Sequence, residues 1–377
     1  MREDIILEDT TLRDGEQAPG LAFSKRTKLA IHDALVNAGV RWLEAGIPAM
    51  GGTEFDTLAT LLARGSDATL VAWNRGVKED VARSLDMGFK AVHIGLPTSK
   101  IHLENSIKRD RTWLLQQAQH LVSYAKDRGA FVSISAEDIG RTELPFLEEY
   151  ACAVHAAGAD RLRLSDTIGI LSPEGYAHRV KSVGRVCPID LQCHTHNDFG
   201  LGVANTLAGL QAGARYFHVT VGGIGERAGM PDLAQAAFAL RHMFNIDVGI
   251  DGTRLLPLYE TVAKATAQPI IPWQPIVGEN IFAHESGIHV NGMLANDTTF
   301  EPFLPEEVGR TRHYVLGKHS GRALIRHLLA GKGIEISDSE LGICLDHVRE
   351  LAIQQGGPIS EDQLTTIYRE LKVKSCL

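Results

Sequence analysis

Two histidines separated by one residue, His194 and His196, stand in the run HTHNDFG (194–200), and an aspartate, Asp14, stands in DTTLRDGEQAPG (9–20). In a β-strand residues i and i+2 project from the same face, so the two imidazoles share a direction. Two imidazoles and one carboxylate suit a divalent cation and leave coordination positions for water or substrate. A lone histidine is better explained as a hydrogen-bonded interior residue, which is the reading for His155, His178 and His242. The His-Thr-His pair beside Asn197 and Asp198 is the stronger metal candidate. These ligand types do not separate Zn²⁺, Mn²⁺, Mg²⁺ and Fe²⁺. Arg13, next to Asp14, either makes a plain ion pair or presents its guanidinium to a developing oxyanion or a carboxylate, and the company it keeps favours the second.

The elements that must hold these residues announce themselves by punctuation. From Gly39 to Gly213 an amphipathic stretch repeatedly ends in Gly and a short apolar run follows: NAGVRWLEAG, DMGFKAVHIG, DRGAFVSISA, AAGADRLRLS, QAGARYFHVT. Gly at a helix C-terminus takes the left-handed conformation at little cost, so each unit reads helix, stop, strand. Strands are predicted at 5–8, 42–46, 70–73, 91–95, 131–135, 161–165, 190–193 and 216–221. Ser24 is expected to cap a helix reaching about residue 38, 112–129 keeps apolar residues at helical spacing, and the last helix of the series is expected at 232–244. Eight such units predict an α/β protein, a (β/α)8 TIM barrel, with a doubly wound open sheet as the alternative. In a barrel the polar residues at strand C-terminal ends share one cavity. Arg13, Asp14, Glu44, His93, Ser133, Ser135, Glu137, Asp166, Thr167 and 194–198 all fall at such ends.

Past residue 250 the rhythm breaks: 268–285 carries three prolines, and helical patterns return near 322–330, 340–354 and 360–371. The expected organisation is a catalytic barrel over 1–250, a crossing or lid segment over 251–320 and a small mainly helical C-terminal region over 321–377.

Composition narrows the partners. The 377 residues carry a formal charge of −8 with 22% charged and 44% hydrophobic residues, and no run approaches the ~18 apolar residues that read as a membrane span. Without a basic block there is no nucleic-acid footprint, so a small molecule is the expected partner. Five unpaired-looking cysteines and an N-terminus without an apolar core point to a reducing, cytoplasmic setting. The ending Ser375-Cys376-Leu377 lacks the Lys of a peroxisomal address, and Asn296-Asp297-Thr298 is a glycosylation pattern a cytosolic chain would not use. The run GGIGERAG (222–229) imitates a dinucleotide fingerprint, but it follows the eighth strand rather than the first. A loop around Gly223, Gly225, Glu226 and Arg227 that meets phosphate or another anionic group is the better expectation.

Taken together, DTTLRDGEQAPG, HTHNDFG, GGIGERAG, HESGIHVNG (284–292) and LGKHSGR (316–322) resemble the homocitrate, 2-isopropylmalate and citramalate synthase family over nearly the whole chain. The resemblance implies a Claisen-type condensation of acetyl-CoA with a 2-oxo acid, followed by thioester hydrolysis. It implies that the acceptor chelates a divalent cation held by Asp14, His194 and His196, and that Arg13 stabilises the alkoxide. By the same resemblance Gln17, Glu44, His93, Ser135 and Thr167 line the acceptor pocket. Glu137 and His289 would remove the acetyl proton, with Tyr314 assisting and His289 coming from the second subunit of a homodimer. Met230 departs from relatives that carry Asn there. HIGLPTS (93–99) and ISAEDIGRTE (134–143) are most similar to homocitrate synthases that serve nitrogenase cofactor assembly, so 2-oxoglutarate is the expected acceptor, with 2-oxoisovalerate, pyruvate or a phosphonate-bearing acid as alternatives. The chain stops short of the regulatory domain of typical isopropylmalate synthases, so leucine feedback is not expected. HMG-CoA lyase chemistry is a further alternative, weakened because 222–229 has no cysteine; a non-catalytic barrel is the last.

Overall fold

The runs that follow each glycine stop form strands because their alternate residues bury against helices on the outer face: Leu7, Leu43, Val92, Ile134, Leu164 and Phe217 all lie in the core. The computed structural model describes residues 1–375; Cys376 and Leu377, and with them the Ser-Cys-Leu ending, lie outside the described residues. The strands are β1 (Ile6–Asp9), β2 (Trp42–Gly46), β3 (Thr69–Arg75), β4 (Ala91–Gly95), β5 (Phe131–Glu137), β6 (Arg161–Asp166), β7 (Asp190–Thr195) and β8 (Tyr216–Val219). They pair in parallel and in sequence order, and β8 closes on β1 with Ile6 opposite Tyr216 and Glu8 opposite His218. This is the expected (β/α)8 barrel, and the open-sheet alternative is set aside.

The helical ring follows the glycine punctuation. Ser24 accepts a hydrogen bond from the Thr27 amide at the start of the helix Lys25–Asn37, and Gly88, at φ 109°, ends Lys78–Met87 in the left-handed region. The run 112–129 forms a helix over Arg111–Asp127 that stops just before Gly129, and the last barrel helix is Leu233–Phe244. Where 216–221 was expected as one strand, β8 stops at Val219. The Thr220 amide turns to the Pro231 carbonyl, and Gly222 and Gly223, both at φ 69°, make a tight turn. A further helix, Leu255–Thr266, is absent from the sequence reading: it buries Leu255, Leu258, Tyr259 and Val262 at helical spacing, but no Gly marks its end.

The chain divides into two compact units, residues 1–270 and residues 271 onward. In the second unit the helices Arg322–Gly331 and Asp338–Gln355 pack around Leu324, Ile325, Leu341, Cys344 and Val348. Its two motifs interlock. The Gly287 amide donates to the His319 carbonyl and the His319 amide to the Glu285 carboxylate, while a Cβ on Gly287 would come within 2.8 Å of the Gly321 Cα. Among the described residues no helix is long and apolar enough to cross a membrane.

Candidate active site

The turn after β1 is built by its own side chains. Asp9 accepts from the Thr11 amide (2.8 Å) and hydroxyl (2.9 Å), and the Thr11 hydroxyl accepts from the Val221 amide (2.9 Å), tying this turn to the loop after β8. Thr10 accepts from the Asp14 amide at 3.3 Å. This turn carries Arg13 and Asp14 to the cavity end of the barrel, where β7 delivers His194 and His196.

Asp14, His194 and His196 form a buried group whose candidate ligand atoms lie within 4.8 Å of one another. Asp14 Oδ2 sits 2.9 Å from Arg13 Nη1 and 3.6 Å from His194 Nε2. Asp14 Oδ1 and His196 Nδ1 are buried and have no hydrogen-bond partner among the described residues. Buried polar atoms are normally paired, so two orphaned electron-donor atoms on residues of one close-set group fit a divalent cation. Burial holds both imidazoles below their ordinary pKa, His194 well below, which keeps them in the neutral, metal-binding form.

Arg13 is anchored rather than loose. Its Nε donates to Glu44 Oε2 at 2.6 Å and its Nη1 to Gln17 Oε1 at 3.0 Å, and its guanidinium lies 5.7 Å from the centre of Trp73. Burial works against its charge, but Glu44 and Asp14 outweigh it and raise its pKa. Glu44 is fully buried with both oxygens engaged: Oε2 also accepts from Thr10 (2.9 Å), and Oε1 accepts from Arg163 Nη2 (2.7 Å). The residue expected to line the acceptor pocket thus spends its carboxylate on two arginines.

A charged column fills the barrel below. Arg161, with its guanidinium 4.7 Å from Tyr216 and 5.5 Å from Trp42 and Phe131, donates to Glu8 Oε2 at 2.5 Å. Burial alone would raise the Glu8 pKa, but Arg161 and His218 outweigh it and hold it at about 2. Glu8, Glu44 and His218 also bring three ligand-type atoms together, but the Arg163 guanidinium, 2.7 Å from Glu44 and 3.6 Å from Glu8, already supplies the positive charge there. Sequence reasoning passed over Glu8, Arg161, Arg163, Gln192 and His218. Their signal was strand parity, since Arg161 and Arg163 lie two apart on one strand.

His93 is fully buried, its Nδ1 2.9 Å from the Ser133 hydroxyl and its Nε2 3.1 Å from that of Ser135. Burial pushes its pKa well down, so it is a neutral hydrogen-bonding group. Ser135 also approaches Glu137 Oε1 at 3.4 Å, and burial raises the Glu137 pKa. A carboxylate with raised pKa is a competent proton acceptor near neutrality. The Thr167 hydroxyl accepts from the Asp138 amide at 2.8 Å.

In the loop after β8, the Gly223, Gly229 and Met230 amides bond to Thr220, Glu226 and Gly223 carbonyls. A Cβ on Gly225 would lie 3.3 Å from Asp14 Oδ1, so the loop packs directly over the metal-type group. Arg227 grips Asp198 through two bonds (2.8 and 3.0 Å) and the Thr167 carbonyl (2.7 Å), while Glu226 points outward. The helix N-terminus beyond is capped by Asp232, which accepts from the Gln235 amide. Met230 is buried, with its side chain 3.2 Å from a Gly225 Cβ.

His289 and Tyr314 belong to the second unit. His289 is exposed on the helix Gly287–Ala295 with its ring stacked 4.0 Å from Phe300. Tyr314 lies on a two-residue strand beside Ala283–His284.

Comparison with known proteins bears on this geometry. Residues 4–262 match the HMGL-like family and residues 276–356 the homocitrate synthase post-HMGL domain-like family. The chain is 60% identical over 370 residues to a 2-phosphonomethylmalate synthase of Streptomyces rubellomurinus, covering 98% of this chain and 99% of that protein. It is 44% identical to 2-isopropylmalate synthase 2 of Caldanaerobacter subterraneus subsp. tengcongensis (98% and 96% covered) and 42% identical to homocitrate synthase 1 of a Nostoc species (97% of each). The Bacillus subtilis HMG-CoA lyase structure superposes with a TM-score of 0.65 at 17% identity, covering 71% of this chain and 96% of that one, a likeness of fold. With the barrel and the domain that follows it both matched by family models, and with synthases 42–60% identical over nearly the whole chain, the chain belongs to the HMGL-like family, among the synthases of that family.

Proposed function

We propose that the protein condenses acetyl-CoA with a 2-oxo acid whose short side arm ends in an anionic group, and that the acceptor is 3-phosphonopyruvate. Removing a two-carbon acetyl unit from 2-phosphonomethylmalate leaves that compound, and the 60% identity over 98% of the chain to a synthase of that name is the observation that carries the choice. The polar wall of His93, Ser133, Ser135 and Thr167 supports an acceptor with hydrogen-bonding oxygens over the branched hydrocarbon arm of 2-oxoisovalerate. The 42% identity to a homocitrate synthase favours 2-oxoglutarate as the second reading.

In this reading Glu137 takes a proton from the acetyl methyl group, the carbanion attacks the ketone carbon, and Arg13 stabilises the oxygen that becomes an alkoxide. Protonation gives the tertiary alcohol; water then cleaves the thioester and releases CoA. When bound at Asp14, His194 and His196, a divalent cation supplies Lewis-acid polarisation of the ketone. His289 and Tyr314 join proton transfer from a second subunit of a homodimer, and the loop bearing Gly223, Gly225, Glu226 and Arg227 lies beside the bound co-substrate.

The test follows free thiol released from acetyl-CoA with 3-phosphonopyruvate, 2-oxoglutarate, 2-oxoisovalerate or pyruvate. The expected result is the highest kcat/KM for 3-phosphonopyruvate. A higher kcat/KM for 2-oxoglutarate overturns the choice of acceptor, and no thiol release with any of them overturns the reaction.

A further inference from the structure

Behind the metal-type group the barrel holds a chain of contacts that the reaction itself does not use. Glu8 Oε2 accepts from Arg161 (2.5 Å) and Gln192 (3.2 Å), and Glu8 Oε1 lies 3.0 Å from His218 Nε2. On the other side of that ring, His218 Nδ1 lies 2.9 Å from His194 Nδ1. His194 then turns its Nε2 toward Asp14 Oδ2, 3.6 Å away. Every residue of this chain is buried.

Hydrogen-bond logic orders the protons. An ionised carboxylate only accepts, so the 3.0 Å contact places a proton on His218 Nε2. One other contact competes: Arg163 Nη2, also only a donor, lies 3.2 Å from the same nitrogen. Were Nε2 bare to accept from Arg163, its lone pair would face Glu8 Oε1 at the shorter distance. Arg163 Nη2 already has a better acceptor in Glu44 at 2.7 Å. Burial and the same guanidinium oppose a second positive charge on the His218 ring and prevail over the opposite pull of Glu8 and Glu44. With its single proton on Nε2, His218 has a bare Nδ1, which accepts from His194 Nδ1. The His194 proton is thereby placed on Nδ1 and its lone pair on Nε2.

We propose that Glu8 and His218 act as a relay that locks His194 in the tautomer whose Nε2 lone pair faces Asp14, and that this relay sets the affinity of the site for a divalent cation. The proposal rests on reading Asp14, His194 and His196 as a cation site, and is independent of the acceptor. His218 is a positioning residue, since it acts only through His194. Partners of this kind behind a ligating histidine are worth about 10–100-fold in metal affinity.

Titration calorimetry with Mn²⁺ and Co²⁺ alone, without substrates, tests the relay. His218→Leu removes the acceptor for His194 Nδ1 and is expected to weaken both ions by about 10–100-fold. His218→Gln, whose amide offers an oxygen toward His194 and an NH₂ toward Glu8, is expected to recover most of that loss. Wild-type protein that binds neither ion overturns the cation-site reading; wild-type binding matched by His218→Leu overturns the relay. If His218→Leu fails to fold, ¹⁵N spectra of the histidine rings in metal-free wild-type protein decide instead: a proton on His194 Nδ1 supports the relay, and one on His194 Nε2 overturns it.

Discussion

Replacing Glu44 by Gln probes the charged column directly. The carboxylate is fully buried and meets Arg13 Nε at 2.6 Å and Arg163 Nη2 at 2.7 Å. At an effective dielectric near 20 each such pair is worth about 4 kcal/mol, so the two together supply about 8 kcal/mol against a desolvation cost of several kcal/mol. Gln removes both attractions and, whichever way its amide is turned, points an NH₂ at one of the guanidinium groups. The expected loss of stability is about 3–5 kcal/mol, the range for breaking a buried pair, or a fall in Tm of roughly 10 °C for a barrel of this size. Arg13 is also freed from its Nε anchor, so kcat should fall by about 10²–10³-fold, as when one oxyanion-stabilising donor is misplaced. Thermal unfolding with steady-state kinetics reads both. A Glu44→Gln protein that melts within 2 °C of wild type, with KM for the acceptor raised and kcat intact, would refute this reasoning and return Glu44 to direct substrate contact.

Asp9 makes a pH prediction: burial raises its pKa to about 7 in the fold. The folded protein therefore holds a proton that the unfolded chain releases near pH 4, so this contribution is fully present below that pH and is lost as pH rises to about 7, on the order of 4 kcal/mol in all. Asp9→Asn should flatten that slope in chemical unfolding measured between pH 5 and 8, and an unchanged slope rejects the assignment. Gly229→Ala should collapse the loop over Asp14, because the Cβ would lie 1.9 Å from the Gly223 carbonyl oxygen at a φ of +83°; retained Mn²⁺ affinity would count against it. His289→Ala should abolish turnover while leaving acceptor binding by calorimetry nearly unchanged, and mixing it with an Arg13→Ala variant should restore part of the activity if the two residues meet across subunits. Equal loss of binding and turnover, or no recovery on mixing, argues against the role assigned to His289.

Local chemistry made much of this protein legible in advance. Glycine stops, alternating apolar residues and the Ser24 cap are short-range signals, so the eight strands and most of the helices follow from the chain itself. The His194 and His196 spacing was readable for the same reason, since strand parity alone puts both on one face. Tertiary closure decided the rest. Only when β8 pairs with β1 does Glu8 come opposite His218, and only a closed barrel sets Arg163 between Glu44 and Glu8, residues far apart in sequence. Glu44 illustrates the difference. Its place on a strand near the cavity was evident from its position in the chain, but its engagement by two arginines depends on which side chains meet it across the barrel. His93 is another case: strand parity places it on the inner face, but its two serine partners, Ser133 and Ser135, come from the neighbouring strand β5. No local pattern encodes which distant groups share a cavity, because that depends on the register with which the strands close.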